Sequence, residues 1–584
     1  MKPTYKTLAA IICITTLTHT TTTSCTDADS ELVSFVEDNR LDSTDDLGYS
    51  LIGIINKIQT IADRTIILGE LRGDLTTLTP DATLDLQAIA NFQTDTPNPY
   101  NNPRDYYAII QNCNYYLATA DTTLTLRGEK VFQKEYAAIK TYRAWTYLQL
   151  ALNYGTIPFI TQPLLAEKDT DPSLHPSYNI QQIANYFIDD LTPHINTPTP
   201  DFGGTNISQD FSSTTGSYLT SYDTQKFYYP TRVLIADLCL WAGRYREAAQ
   251  HYHDYLTREN DQHPISGSVY TNANSHTIQW ANYEFNNIND AYTPYSTTTE
   301  ILTYIPMMLT QYDGTTSTLQ DIFTSTDRNR YYYQATHSQA YDELSQSQHY
   351  THVHTDPTTM LPDTITPDYD ALNITPALRG DLRQSSTYTL SNITTPSTDH
   401  SPYYQRCYKH TYANIVNILR LRHIYLRYAE ALNRAGLPQS AFAILKHGLN
   451  TQTLNPEKNY ISTDEQQRAG NLIQFSEYYF TRENTIGIHS FGSGRADADT
   501  TYTIPQLPTH QDTILYVENK ISDEMALETA AEGQRYYDLM RISLHRNDPT
   551  YLAQKIATRN GKTNFNQTLY NKLSDTKNWY LPLE

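Results

Sequence analysis

Apolar positions recur every three to four residues in several stretches of the chain and lose that rhythm in one long central region. Leu47, Leu51, Ile54, Ile55, Ile58 and Ala62 share one face at helical spacing and predict a first helix. Tyr106, Ile110, Cys113 and Leu117 predict a second. A short turn at Gly128 then leads into the stretch Glu129 to Asn153, which contains neither Gly nor Pro. At 1.5 Å per residue it would form a helix roughly 37 Å long. Gly155 and Pro158 end it.

Two later segments resemble each other. Thr231 to Leu256 carries Ala236, Leu240, Gly243, Tyr245, Ala248, Ala249 and Tyr252, and Arg422 to Leu449 carries Ala429, Leu432, Gly436, Pro438, Ala441, Leu445 and Leu449. Each reads as a helix, a tight Gly turn and a second helix, with Ala where two helices touch closely. This is the logic of tetratricopeptide arrays, in which stacked helical pairs share one core. Between residues 260 and 410 the periodicity fades and Thr, Ser, Asn, Asp, Pro and Tyr dominate. Long aromatic-rich loops with short strands are expected there, held on the helical frame and suited to binding. The fold expected is mainly α: tetratricopeptide-like pairs with an irregular, short-strand lobe carrying the ligand surface.

The first 24 residues differ from everything after them. Lys2 and Lys6 precede a short apolar run from Leu8 to Leu17, and Thr22, Thr23 and Ser24 lead to Cys25. About ten apolar residues are too few to span a bilayer, which needs roughly 20, so the segment reads as a signal peptide. The small residues before Cys25 resemble a bacterial lipobox, with Thr22 where Leu is common, and make Cys25 the expected lipidation site. Asp27 and Asp29 resemble a surface-export signal. The expected division is 1–24 signal peptide, 25–46 polar tether, 47–259 N-terminal helical region, 260–410 Tyr-rich lobe and 411–584 C-terminal helical region.

A net charge of −21 with scattered Lys and Arg removes nucleic acid from the expected partners. With 49 Tyr against 15 Phe and 4 Trp, much of the apolar area carries a hydroxyl. That suits surfaces for wet, polar ligands, and equally a core in which Tyr replaces Phe. Cys113, Cys239 and Cys407 lack the short spacings of a zinc site or a disulfide framework, and Cys113 and Cys239 are expected as buried thiols. No phosphate-binding loop, dinucleotide fingerprint or His-Glu-x-x-His helix occurs. Gly492-Ser493-Gly494 lacks the spacing of a nucleophile elbow and reads as a turn. His349, His352, His354 and Asp356 could share a cation, with His352 and His354 on one side of a strand, or form a solvated polar loop. Acidic pairs such as Asp45-Asp46 or Asp189-Asp190 are what 63 acidic residues give by chance. Neither metal nor cofactor is expected.

Several segments, in order, resemble the SusD/RagB family. They are Glu70-Leu71-Arg72-Gly73-Asp74, Tyr106-Tyr107 through Asn112-Cys113-Asn114, and Tyr142-Arg143-Ala144 with Tyr147, Tyr154-Gly155 and Pro158. Further on come Arg427-Tyr428-Ala429-Glu430-Ala431-Leu432-Asn433, Gly487-Ile488-His489-Ser490, Glu532-Gly533-Gln534-Arg535 with Asp538-Leu539 and Arg541, and Asn578-Trp579-Tyr580-Leu581-Pro582. Met525 departs from the pattern, standing where the family often has Arg after the equivalent of Glu524, so an ion pair is expected to be missing. The motif charges are expected to tie helix ends together, Arg72 with Asp74 or Arg535 with Asp538. The resemblance implies a non-catalytic, lipid-anchored outer-membrane protein that passes nutrient to a SusC-like TonB-dependent transporter. Glycan is the first expectation for the cargo and peptide the second; a surface glycoside hydrolase, a different class of function, is the less favoured alternative. Aromatic planes beside amides suit sugar rings, which selects Tyr100, Asn101 and Asn102, and Trp280, Asn282, Tyr283, Tyr292 and Tyr295 in the irregular lobe.

Overall fold

The computed structural model describes residues 41–93, 97–200, 207–213, 216–258, 261–263, 300–307, 315–355, 358–360, 362–365, 379–392, 403–480 and 485–583. The leader, Cys25, Trp280, Asn282, Tyr283, Tyr292 and Tyr295 lie outside them. Of the four candidate cation ligands, Asp356 does too.

The first helix, α1, runs Tyr49–Leu71 and buries Leu51, Ile54, Ile55, Ile58 and Ala62 on the face the spacing marks. Leu47 belongs to that pattern on paper but precedes the helix and is 41% exposed. The next helices are α2, Pro103–Thr119, and α3, Gln133–Tyr154. Helix α3 starts later than its Gly- and Pro-free sequence suggests. Arg127 and Gly128, with φ of 53° and 88°, form a tight turn that pairs Thr125–Leu126 with Glu129–Lys130, and the ladder takes the first residues of the stretch. At its other end Gly155, φ 75°, stops the helix as expected.

Helix α4, Ile180–Leu191, leads to the first repeated pair, α5, Thr231–Trp241, and α6, Tyr245–Leu256. The second pair is α7, Leu421–Arg434, and α8, Pro438–Lys446. Gly243 and Gly436, φ 76° and 83°, make the two turns, and Ala236, Ala248, Ala249, Ala429 and Ala441 are buried where the partners approach. The tetratricopeptide-like reading of these segments holds. Helices α9, His510–Thr529, and α10, Arg535–Arg546, complete the frame. Successive helices pack side by side from α1 to α7, α7 and α8 pack on α9, α9 on α10, and α10 returns to α1. The array therefore closes on itself. Between its ends lies an antiparallel ladder, Ile301–Pro306 with Ile415–Arg420, against which α1 packs.

Charged motif residues stitch this frame, with partners other than those expected from sequence proximity. Asp74 pairs with Arg535 at 2.6 and 3.0 Å rather than with Arg72, and Asp538 pairs with Arg541. Arg72 instead reaches the Asn153 side chain and the Trp579 carbonyl and lies over the Tyr536 ring. Met525 is buried in the core, while Glu524 has partners from elsewhere in the chain, Arg383 at 3.0 Å and His489 at 2.5 Å. Core tyrosines are numerous: Tyr106, Tyr147, Tyr252, Tyr341 and Tyr388 are fully buried. Several keep their hydroxyls bonded, Tyr147 donating to the Ile160 carbonyl and Tyr252 to Asp237.

Candidate functional site

Three of the expected ligand residues can be located. Asn102 occupies the N-cap of α2: its Oδ1 accepts the Arg104 N–H at 3.2 Å, and its Nδ2 donates to Asp105 at 3.0 Å. Arg64 bonds the Asn102 carbonyl and pairs with Asp105. The polar atoms of this side chain are thus engaged in starting a helix. Replacing Asn102 by Ala is expected to lower stability by about 1 kcal/mol, measured by urea unfolding. Tyr100 lies half-buried against the core, where burial, then the charges of Asp63 and Asp85, raise its phenol pKa. Asn101 Oδ1 is enclosed, with no hydrogen-bond partner among the described residues. That oxygen is polar capacity not used by the scaffold.

The described part of the Tyr-rich region presents a surface that the residue choices above missed. Thr326 caps a short turn at Asp327–Asn329, and the next two residues, Arg330 and Tyr331, both take left-handed backbone, φ 58° and 67°. For an L-residue this costs roughly 1–2 kcal/mol each, so the surrounding bonds must hold it. The Tyr331 N–H donates to the Thr326 carbonyl at 2.7 Å, and Asn329 Nδ2 donates to the Thr324 carbonyl at 2.8 Å. The turn carries Tyr331 outward, 49% exposed, edge-on to Tyr404 with ring centroids 5.5 Å apart and planes at 71°. Tyr404 and its neighbour Tyr403 are also exposed, on a strand paired with Tyr388–Asn392. A hydrogen bond to Asp327 and that residue's charge raise the Tyr331 phenol pKa. Nothing in the run Tyr331-Tyr332-Tyr333 tells that the first ring faces water and the third is buried. A second exposed pair, Tyr478 and Tyr479, stands elsewhere, with centroids 4.8 Å apart.

The interior offers less room. A cavity of about 50 Å³ lies between α1, α3, α5 and α7, bordered by Trp145, Trp241, Asn417, Arg427 and Gln534. At ~10–15 Å³ per water it holds a few waters and no sugar ring. Its charges are already matched: Arg427 bonds Asp237 at 3.0 Å and Gln534 at 2.9 Å. The acidic pair at 189–190 is no catalytic dyad either, since Asp190 is bridged to Lys140 and Arg143. Gly492-Ser493-Gly494 is the turn expected: Ser490–Ser493 is a single helical turn, Gly494 has φ 74°, and Ser493 donates to Asp381. His352–Thr355 forms a strand paired with Pro362–Ile365. Cys113, Cys239 and Cys407 are free and buried, and burial pushes each thiol up to about 12. Among the described residues no helix is long and apolar enough to cross a membrane.

Residues 494–584 match the model of the SusD family. A SusD superfamily protein from Bacteroides vulgatus has a similar structure, with a TM-score of 0.53 and 12% identity over 93% of this chain and 96% of its own. A SusD-like carbohydrate binding protein from Bacteroides fragilis aligns with a TM-score of 0.52 and 13% identity, covering 89% of this chain and 88% of its own. No curated protein matches the chain by sequence. Residues 494–584 thus carry sequence similar to the SusD family, inside a chain whose fold over most of its length is similar to that of these SusD superfamily structures.

Proposed function

We propose that this protein is a non-catalytic surface lipoprotein that captures oligo- or polysaccharide and delivers it to a SusC-like TonB-dependent transporter, anchored in the outer membrane through Cys25. The observation that carries the cargo assignment is the Tyr331–Tyr404 pair, two exposed rings set edge to face, one on a braced turn and the other on a strand. Sugar rings present C–H faces that pack on aromatic planes, and rings already held in place lose little entropy on binding. The carbohydrate-binding structural relative from Bacteroides fragilis supports the same cargo class. Peptide capture would instead use backbone-reading amides in an enclosed cleft. The cavity bordered by Trp145 and Arg427 is too small for that, and its charges are matched.

Affinity electrophoresis against a polysaccharide panel tests the reading. Retardation by at least one glycan is expected, weakened tenfold or more when Tyr331 and Tyr404 are both replaced by Ala, with far-UV circular dichroism unchanged. Loss of retardation through Tyr478→Ala alone would move the platform to the second tyrosine pair. No retardation by any glycan, together with binding of peptides, would reject glycan as cargo.

A further inference from the structure

Cys239, Glu247 and His251 fall in the first repeated helical pair, and no motif or expected function uses them. Cys239 lies near the end of α5, and Glu247 and His251 sit one turn apart on α6. The Gly243 turn folds one helix back on the other, so residues 8 and 12 positions beyond the cysteine come to face it. The sulfur, a carboxylate oxygen and an imidazole nitrogen all lie within 4.8 Å of one another. His251 Nε2 is 4.0 Å from Glu247 Oε1. A tetrahedral zinc ion holds such atoms at ~2.0–2.3 Å, which sets them roughly 3.3–3.8 Å apart. The three groups therefore need to close by only about 1 Å to share one ion.

We propose that Cys239, Glu247 and His251 form a divalent transition-metal site of zinc type, with water in the fourth position, that clasps α5 to α6. A further feature favours it. His251 Nδ1 is enclosed and has no hydrogen-bond partner among the described residues, so the imidazole is not consumed by the scaffold. A thiolate, a carboxylate and a neutral imidazole sum to two negative charges, which a divalent ion balances. Arg244 grips Glu247 with two bonds of 2.6 Å. On binding, one carboxylate oxygen turns to the ion and the other keeps Arg244, an outer partner that orients the ligand. The Cys239 S–H bond breaks, its proton passes to water, and the sulfur electron pair forms the metal bond. Thiolate, imidazole and carboxylate together select zinc-like ions over magnesium or calcium.

Titration of the purified protein with Co²⁺ reads the site directly. One equivalent is expected to produce the near-ultraviolet charge-transfer band of a cobalt thiolate and the intense visible bands of tetrahedral cobalt, both displaced by Zn²⁺. Cys239→Ser should abolish the near-ultraviolet band, while Cys113→Ser should leave it intact. His251→Gln, at a partly exposed position, should weaken binding at least tenfold with an unchanged circular dichroism spectrum. Absence of the thiolate band at equimolar Co²⁺, its survival in Cys239→Ser, or unchanged affinity in His251→Gln would each overturn the proposal.

Discussion

Replacing Arg383 by Met is expected to destabilise the protein by about 3–5 kcal/mol, seen as a large drop in the urea midpoint near neutral pH. Arg383 is about 1% exposed and makes two bonds to Asp381, at 2.9 and 2.8 Å, and one to Glu524 at 3.0 Å. It belongs to a buried charge chain in which Glu524 and Glu528 stand one turn apart on α9 and Glu532 follows just past the end of that helix. Arg420 and Arg422 serve Glu528, while Arg420, Lys409 and His423 serve Glu532. Methionine fills much of the volume but leaves carboxylates in a dry interior without their counter-charge. That penalty exceeds the original net worth of the pair.

The pH dependence separates this account from a simple packing defect. Burial alone would raise the Glu524 and Glu528 pKa values, yet His489 and Arg383 at the first, and the arginines at the second, bring both down to about 2. Carboxylates whose folded pKa is depressed stabilise the fold above the unfolded value, near 4.5. The contribution drains away as pH falls toward 2. Without Arg383, burial wins at Glu524 and the folded carboxyl takes up its proton at higher pH. The gap between wild type and variant should therefore narrow between neutral pH and about pH 3. A gap of constant size would assign the loss to packing.

Gly69→Ala should be similarly damaging, by more than about 3 kcal/mol, although Gly to Ala inside a helix ordinarily stabilises by about 1 kcal/mol. A Cβ built on Gly69 would lie 1.7 Å from the Gly533 carbonyl oxygen and 2.8 Å from a Tyr537 ring carbon. Gly533 cannot retreat, because its own φ is 72° and a Cβ there would stand 2.2 Å from the Thr65 carbonyl oxygen. Two backbones touch at this point, with no flexible side chain to give way. Gly53 in the same helix is the control: nothing lies within 4 Å of its added Cβ, so Gly53→Ala should raise the urea midpoint. Opposite signs for two identical substitutions in α1 are the result to look for.

What could be read from the sequence follows from how locally each feature is determined. The repeated pairs were legible because a Gly turn and close-packed Ala residues act within about 25 residues of each other. The start of α3 was not, because the two-residue turn at Arg127-Gly128 captured residues that lack any helix breaker. Ion pairs were the least legible part. Asp74 and Arg72 are neighbours in sequence, yet the partner of Asp74 is 461 residues away. Only the closing of the helical array decides that pairing. The Cys239, Glu247 and His251 cluster is local by contrast, brought together by the Gly243 turn, but no motif spacing marks it in the sequence. In the loops, Asn102 carried the composition of a sugar-reading amide and proved to cap a helix, while Tyr331 emerged through a backbone conformation that its side chain does not advertise.

The junction between the two ends of the frame bears on how the molecule comes to be folded. Arg72 at the end of α1 is held by the Trp579 carbonyl, Asn153 at the end of α3 accepts the Leu581 N–H, and Asp74 is matched by Arg535. Until Arg535 and the segment through Leu581 are present, the first helices expose an unmatched carboxylate and an unfilled seam. Closure of the frame must therefore await residues more than 400 positions beyond α3. Loops of several hundred residues have to be drawn together before these contacts repay the entropy, which makes acquisition of the native state slow and leaves the nascent protein dependent on whatever keeps it from aggregating meanwhile.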